Sequence, residues 1–239
     1  MRMGGVASGV IEAALPAACP HCHGALGGFD SGLCAGCSAE MRPEFGSRCP
    51  RCATPGPTSV EACLACETDP PPQSFTVTWS VYEGAVRSAV LALKHGAHDE
   101  LARLLGRKLA AVVAAEPWVD RIDVVTFVPS HVVRRIRRGP PAAQELARTV
   151  SSSLSRPLRP MLRRRGLARQ AGRTRAHRMR LGPAVFSAVR RPAGRVLLVD
   201  DVVTTGTTLR RAAGALLSAG VSEVFCAAVA RTPDSRRPT

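Results

Sequence analysis

From Phe75 to Tyr82 apolar and polar residues alternate among β-branched and aromatic side chains, a period of two that predicts a strand. The period then changes. Ala85 to Lys94 and Leu101 to Val113 space their Leu, Val and Ala residues at helical intervals, with Gly96 and Asp99 supplying a stop and a restart. Ile122 to Val128 is a short apolar run with no charge after Asp123, the pattern of a buried parallel strand, and Pro129 ends it. Ala142 to Leu154 predicts another helix, and the basic stretch Leu158 to Arg180, with Gly166 and Gly172 in it, a strand followed by a loop. Val196 to Val199, Thr207 to Ser218 and Val224 to Ala230 then read as strand, helix and strand, with Gly220 stopping the helix. That order is a βαβ unit, so residues 75–239 predict an α/β domain with a mostly parallel sheet and flanking helices.

The residues before 75 carry a different pattern. Eight of the nine cysteines lie between Cys19 and Cys66, in four C-x-x-C pairs: Cys19/Cys22, Cys34/Cys37, Cys49/Cys52 and Cys63/Cys66, with 11, 11 and 10 residues between successive pairs. Two thiolates three apart on a tight turn point at one Zn²⁺ at ~2.3 Å, and two such knuckles complete a tetrahedral site, so eight cysteines hold two ions. Large apolar side chains are few here, so metal supplies most of the folding energy. Disulfides are the competing use, disfavoured in a reducing cytosol with no secretory signal in view. The similar gaps favour sequential pairing, with an interleaved cross-brace as the alternative. His21 and His23 flank Cys22, but four full pairs leave them no place as ligands, and a closed four-sulfur site makes the zinc structural. Cys226, alone in an apolar strand, reads as a small buried residue. The stiff stretch Asp69-Pro70-Pro71-Pro72-Gln73 divides the chain into a zinc-ribbon domain over 1–68, a linker over 69–74 and the α/β domain over 75–239.

The 239 residues bound the chain to one or two domains. No run approaches the roughly 20 uninterrupted apolar residues of a membrane helix, which predicts a cytoplasmic protein without membrane insertion. Charge is more informative than length. The formal charge is +15, yet the window from Arg134 to Arg195 holds 18 arginines against one acid, Glu145, so the remainder of the chain is slightly acidic. A local polyanion surface fits that distribution better than a generally basic protein does, the partner being nucleic acid or a phosphate-rich small molecule. Because 31 of the 33 basic residues are arginine, coding bias and solvation account for part of the run. Its single aromatic, Phe186, leaves base stacking thin.

The most restrictive pattern is Val196-Leu-Leu-Val-Asp200-Asp201-Val202-Val-Thr204-Thr205-Gly206-Thr207-Thr208-Leu209. A buried strand delivers two adjacent acids to the carboxyl edge of the sheet, where open α/β proteins bind ligands, and neighbouring strand residues face opposite ways. One acid can bind vicinal hydroxyls while the other holds Mg²⁺ through water. Gly206 lets the backbone turn tightly, and the N–H groups of Thr205 to Thr208 open a helix whose dipole favours an anion. The result is a cup for a monophosphate, with carboxylates beside it for a sugar.

Residues 196–209 resemble the phosphoribosyl-pyrophosphate (PRPP) motif of type I phosphoribosyltransferases. Joined to N-terminal C-x-x-C knuckles, they resemble the ComF family, linked to competence and DNA uptake. The likeness takes in Leu93-Lys94-His95-Gly96, Val128-Pro129, the cluster Arg134-Arg135-Ile136-Arg137-Arg138-Gly139, and Gln170 with Arg178 before Phe186. It implies a type I phosphoribosyltransferase-like sheet behind a double zinc ribbon, two structural zinc ions, and Mg²⁺ with PRPP or a related sugar phosphate. It gives Asp200 and Asp201 the ribose and metal contacts, and Val202 with Thr204 to Thr208 the 5′-phosphate. Ser130, His131, Arg134, Arg135 and Arg138 fall where pyrophosphate or another polyanion is expected. Two departures touch the acceptor side: Pro140-Pro141-Ala142 replaces a Phe-Asn-Gln-like continuation, and Leu181 stands where an Asn is expected.

Such chemistry needs no nucleophilic side chain, and the chain carries no G-x-S-x-G elbow, Walker A sequence or H-E-x-x-H. His131 and His177 read as loop histidines. Two functions are expected from these features. One is a phosphoribosyltransferase with an unidentified acceptor. The other is a catalytically inactive module holding single-stranded DNA or a DNA-uptake or recombination protein; a third, blander reading is a zinc-stabilised protein-interaction scaffold with a dead site.

Overall fold

The computed structural model describes residues 18–27, 32–44, 46–56, 62–95, 99–130, 140–164, 185–189 and 194–233. Two short helices, α1 (Ala35–Glu40) and α2 (Leu64–Thr68), belong to the cysteine-rich part. The remainder runs β1 (Phe75–Val81), α3 (Gly84–His95), α4 (Asp99–Ala114), β2 (Val124–Phe127), α5 (Ala142–Ser153), β3 (Leu162–Arg164), β4 (Phe186–Ala188), β5 (Arg195–Val203), α6 (Thr207–Leu217) and β6 (Glu223–Arg231). Strands β1, β6, β5 and β2 form one parallel sheet in that order. Helices α3, α4 and α5 pack on one face and α6 on the other, so β5 and β6 are buried on both sides and their runs are apolar without alternation. No helix among the described residues is long and apolar enough to cross a membrane.

The predicted elements recur within a residue or two, with two differences. The strand read as Val196 to Val199 continues to Val203, because β6 keeps pairing with it, Asp200 opposite Ala228 and Val202 opposite Ala230. On its other side β2 stops at Phe127, opposite Val199, and Pro129 has no N–H to prolong the ladder. Of the basic stretch 158–180, Leu158 bridges Val125 and β3 pairs antiparallel with β4, while 165–180 lie outside the described residues.

The cysteine-rich part is built twice. Cys19 and Cys49 N–H groups donate to Gly24 and Thr54 carbonyls at 2.8 and 2.9 Å, and the N–H groups of His23 and Ala53 donate back to Cys19 and Cys49. His23 and Ala53 share the same positive φ, 62° and 59°. Cys34 and Cys63 then open α1 and α2. The second copy closes the open edge of the sheet. Thr76 N–H donates to Pro50 O at 2.7 Å, and Glu44 N–H to Trp79 O at 3.0 Å. The alternation that predicted β1 sends Val77 and Trp79 toward the α4 side, while Thr76, Thr78 and Ser80, buried to 5% exposure or less, bond the Arg42–Arg51 segment. A polar strand face is thus buried without orphaned hydroxyls.

Helices α4 and α5 approach closely at Gly106, where an added Cβ would lie 2.5 Å from Thr149 Cβ. Gly106→Ala should lower stability by roughly 1–3 kcal/mol, read as a drop in thermal midpoint. Thr149→Ala in the same chain should restore part of it, and an unchanged midpoint in the single variant would contradict the packing.

Candidate functional site

The sheet order opens a crevice where β2 has ended and β5 runs on, and Asp200 and Asp201 sit in it. Adjacent strand residues diverge, and here they do so onto different partners. Asp201 Oδ1 lies 3.0 Å from Lys94 Nζ at the end of α3. Asp200, 9% exposed, accepts the Asp201 N–H at 2.9 Å. Burial pushes the Asp200 carboxyl up to about 8, the negative Asp201 adds to this, and the Asp201 N–H, Lys94 and Arg164 oppose it. Both acids line a cavity of about 240 Å³ with Lys94, Ser130, Arg164, Val202 and Thr208. Ala142 and Ala143, the first residues of α5, close its far side. Pro141 caps that helix without a side-chain bond, and the helix start at Ala142 and Ala143 faces the same cavity as the two acids.

Next to the acids, Gly206 takes φ +75° as the N-cap of α6, a left-handed conformation that favours glycine. Thr205 and Thr207 hydroxyls lie 2.9 Å apart, and Thr204, Thr205, Thr207 and Thr208 are exposed. The loop's flanks are held from the cysteine-rich side. Arg210, in the first turn of α6, donates to the Asp69 carboxylate at 2.6 Å and its carbonyl at 3.0 Å, and Arg231 donates to Cys52 O at 2.7 Å. Thr232 N–H donates to Val203 O at 3.0 Å.

The eight knuckle cysteines form two quartets in sequence order, Cys19, Cys22, Cys34, Cys37 and Cys49, Cys52, Cys63, Cys66, each with its sulfurs within 4.8 Å of one another. Sequential pairing is therefore the arrangement. A tetrahedral zinc with ~2.3 Å bonds needs sulfurs roughly 3.8 Å apart, and Cys22 to Cys34 measures 3.6 Å and Cys52 to Cys63 3.7 Å. The sulfurs fit the ion. Burial works against ionising Cys19 and Cys49, but backbone N–H groups from both knuckles of each quartet, Cys22 and Cys34 for Cys19 and Cys63 and Cys52 for Cys49, bring them down to about 6 and about 7. Burial and neighbouring sulfurs raise Cys37 and Cys66 instead. Such crowding among thiols is relieved when zinc replaces their protons. His21 bonds Ser88 Oγ at 3.2 Å; it lies near Cys37 and Glu40, but Cys37 already completes the first quartet.

Ser130 is thus beside the acids, while His131, Arg134, Arg135 and Arg138 lie outside the described residues, as do Gln170, His177, Arg178 and Leu181. Pro140 and Pro141 line the cavity at the entry to α5. Cys226 is fully buried, as expected. Two cavity residues had no role assigned from sequence. Lys94 is one of only two lysines in the chain, which was its available signal; Arg164 was lost among the other arginines.

A double zinc ribbon family model matches residues 10–67, and a phosphoribosyl transferase domain model matches 104–239, more than half of the chain. "DNA utilization protein YhgH" of Escherichia coli K12 is 29% identical over 224 residues, covering 91% of this chain and 98% of that protein. "Competence protein F" of Haemophilus influenzae is 28% identical over 227 residues, covering 89% and 96%. With two four-cysteine quartets ahead of a parallel sheet that carries the acid-threonine-glycine motif, the chain belongs to the ComF family of phosphoribosyltransferase-like proteins, whose double zinc ribbon holds two structural zinc ions.

Proposed function

We propose that this protein binds PRPP or a ribose 5-phosphate group together with Mg²⁺, in the service of DNA utilisation or competence, as the names of its relatives have it. The observation that carries the reading is the crevice that the two carboxylates share with Thr208, in the first turn of the helix that Gly206 caps, and with Ala142 and Ala143 at the start of α5. Asp200 and Asp201 are hard oxygen donors of the kind Mg²⁺ takes, directly or through water, and they would hold it beside the ribose hydroxyls. When bound, the ion supplies charge neutralisation to a pyrophosphate group leaving C1′. The rest falls to the chain. Thr204 to Thr208 receive the 5′-phosphate on hydroxyls and N–H groups, and Val202 forms the wall between phosphate and sugar. Ser130, the α5 terminus and the arginines from Arg134 to Arg138 are assigned to the departing anion. The same proposal takes 1–68, 69–74 and 75–239 as ribbon, linker and ligand-binding domain, with the cytoplasm as its compartment.

Calorimetric titration of the zinc-loaded protein with PRPP and Mg²⁺ tests this. Magnesium-dependent binding is expected, weakened roughly 10- to 100-fold in Asp201→Asn, which keeps the shape and removes a charge. No binding by the folded protein would overturn it. The 18 arginines between 134 and 195 would then favour the second reading, a module for single-stranded DNA or a DNA-processing partner. Steep loss of binding with salt would be its mark.

A further inference from the structure

Lys94 ends α3 with its ammonium 3.0 Å from Asp201 Oδ1, the lysine side chain 34% exposed and the aspartate 18%. Both line the same cavity as Asp200 and Arg164. Among the described residues that cavity therefore carries two acids and two bases, so the negative charge of Asp201 is already met by Lys94 and Arg164 without any further cation. Position matters as much as charge. An ammonium at 3.0 Å occupies a position on Oδ1 for which a divalent cation would compete. Lysine also differs from the arginines that make up nearly all the other basic residues. Its charge is compact and rides on a flexible four-carbon stem, so it can leave one oxygen for another nearby, whereas a guanidinium binds in a fixed planar fork.

We propose that Lys94 is a built-in monovalent counter-ion of Asp201. It keeps divalent cations off the ligand-free protein and passes to the anionic end of the sugar phosphate when that ligand arrives with its cation. The exclusion half stands on the ion pair alone, and the transfer half rests on the sugar-phosphate reading above. The consequence is an order of binding: the divalent ion enters with the ligand and not before it. Lys94 then contributes twice, by lowering metal affinity in one state and raising ligand affinity in the other.

The test of the first half uses Mn²⁺ alone, followed by its free-ion electron paramagnetic signal, on zinc-loaded protein without sugar phosphate. Mn²⁺ prefers oxygen donors and leaves the all-sulfur quartets to zinc. Lys94→Met should bind one Mn²⁺ about fivefold to tenfold more tightly than the parent, the size expected from removing one partly exposed counter-charge. Lys94→Arg should stay as weak as the parent, and the added tightness should vanish when Asp201→Asn is combined with Lys94→Met. Equal Mn²⁺ affinity in parent and Lys94→Met overturns the exclusion. Should Lys94→Met fail to fold by circular dichroism, Lys94→Gln gives the same reading.

The second half uses ribose 5-phosphate with Mg²⁺. Lys94→Met should bind it about tenfold more weakly than the parent, as loss of one charged contact to phosphate dictates. Undiminished binding overturns the transfer. If the parent itself does not bind ribose 5-phosphate, the sugar-phosphate reading fails and the transfer with it, while the Mn²⁺ comparison still decides the exclusion.

Discussion

Cys52→Ser should lower zinc content from two ions per chain to one and also loosen a strand that contains no cysteine. The second quartet fixes the segment from Arg42 to Arg51, whose carbonyls and Arg48 guanidinium hold the outer edge of β1. Without it, Thr76, Thr78 and Ser80 lose partners on a strand that becomes a bare sheet edge. Several buried hydrogen bonds at ~1 kcal/mol each place the cost near 3–5 kcal/mol, or roughly 10 °C in melting for a chain of this size. Cys22→Ser is the control. It also removes one ion, but its quartet packs through Leu33, Cys37 and Met41 against the core and makes none of those edge bonds. Hydrogen exchange separates the two: the Thr76 amide, bonded to Pro50 O, should lose protection in Cys52→Ser and keep it in Cys22→Ser. Equal protection in both variants would contradict the docking of the second ribbon on β1. Adding a strong chelator to the parent should reproduce both effects together, since the free energy of binding structural zinc is largely folding free energy.

Asp200→Asn should make the ligand-free protein more stable at neutral pH while abolishing magnesium-dependent ligand binding. Burial holds the native carboxyl proton up to about 8, whereas an unfolded aspartate releases it near ~3.9. Between those values the native state carries one proton more than the unfolded state. Stability therefore falls as pH rises through that window, and is flat below and above it. Asparagine has no such proton and still offers Oδ1 to the Asp201 N–H, so the variant escapes the loss. Its advantage should be on the order of a few kcal/mol at pH 7.5 and close to nothing at pH 4. Denaturant melts at the two values measure it, and the same advantage at both would mean that the buried proton is not the cause. Ligand affinity of the parent should climb as pH passes about 8, where Asp200 gives up its proton and becomes a better donor to a cation. A site that destabilises its own fold in this way is what a binding function costs.

What the sequence determined by itself is what depends on neighbours within a turn or two. Four C-x-x-C knuckles specify metal sites because each pair of thiolates converges over three residues. The Thr-Thr-Gly-Thr-Thr run specifies a tight turn into a helix because Gly206 turns the chain and α6 follows at once. Unbroken apolar runs specify β5 and β6 because a strand covered on both faces has no polar side to show. The tertiary structure decided everything that joins distant segments. It chose sequential zinc quartets where spacing admitted a cross-brace. It carried β5 through the two acids, since β6 still pairs there after β2 has stopped. It set the polar face of β1 against the second ribbon, where alternation alone left its partner unnamed. It brought Lys94 to Asp201 and Arg164 to the same cavity, because the order β1-β6-β5-β2 and the helices packed on its faces put the end of α3 over the carboxyl end of β5. Local chemistry is written in residue spacing; which locality meets which is a property of the assembled sheet and its packing.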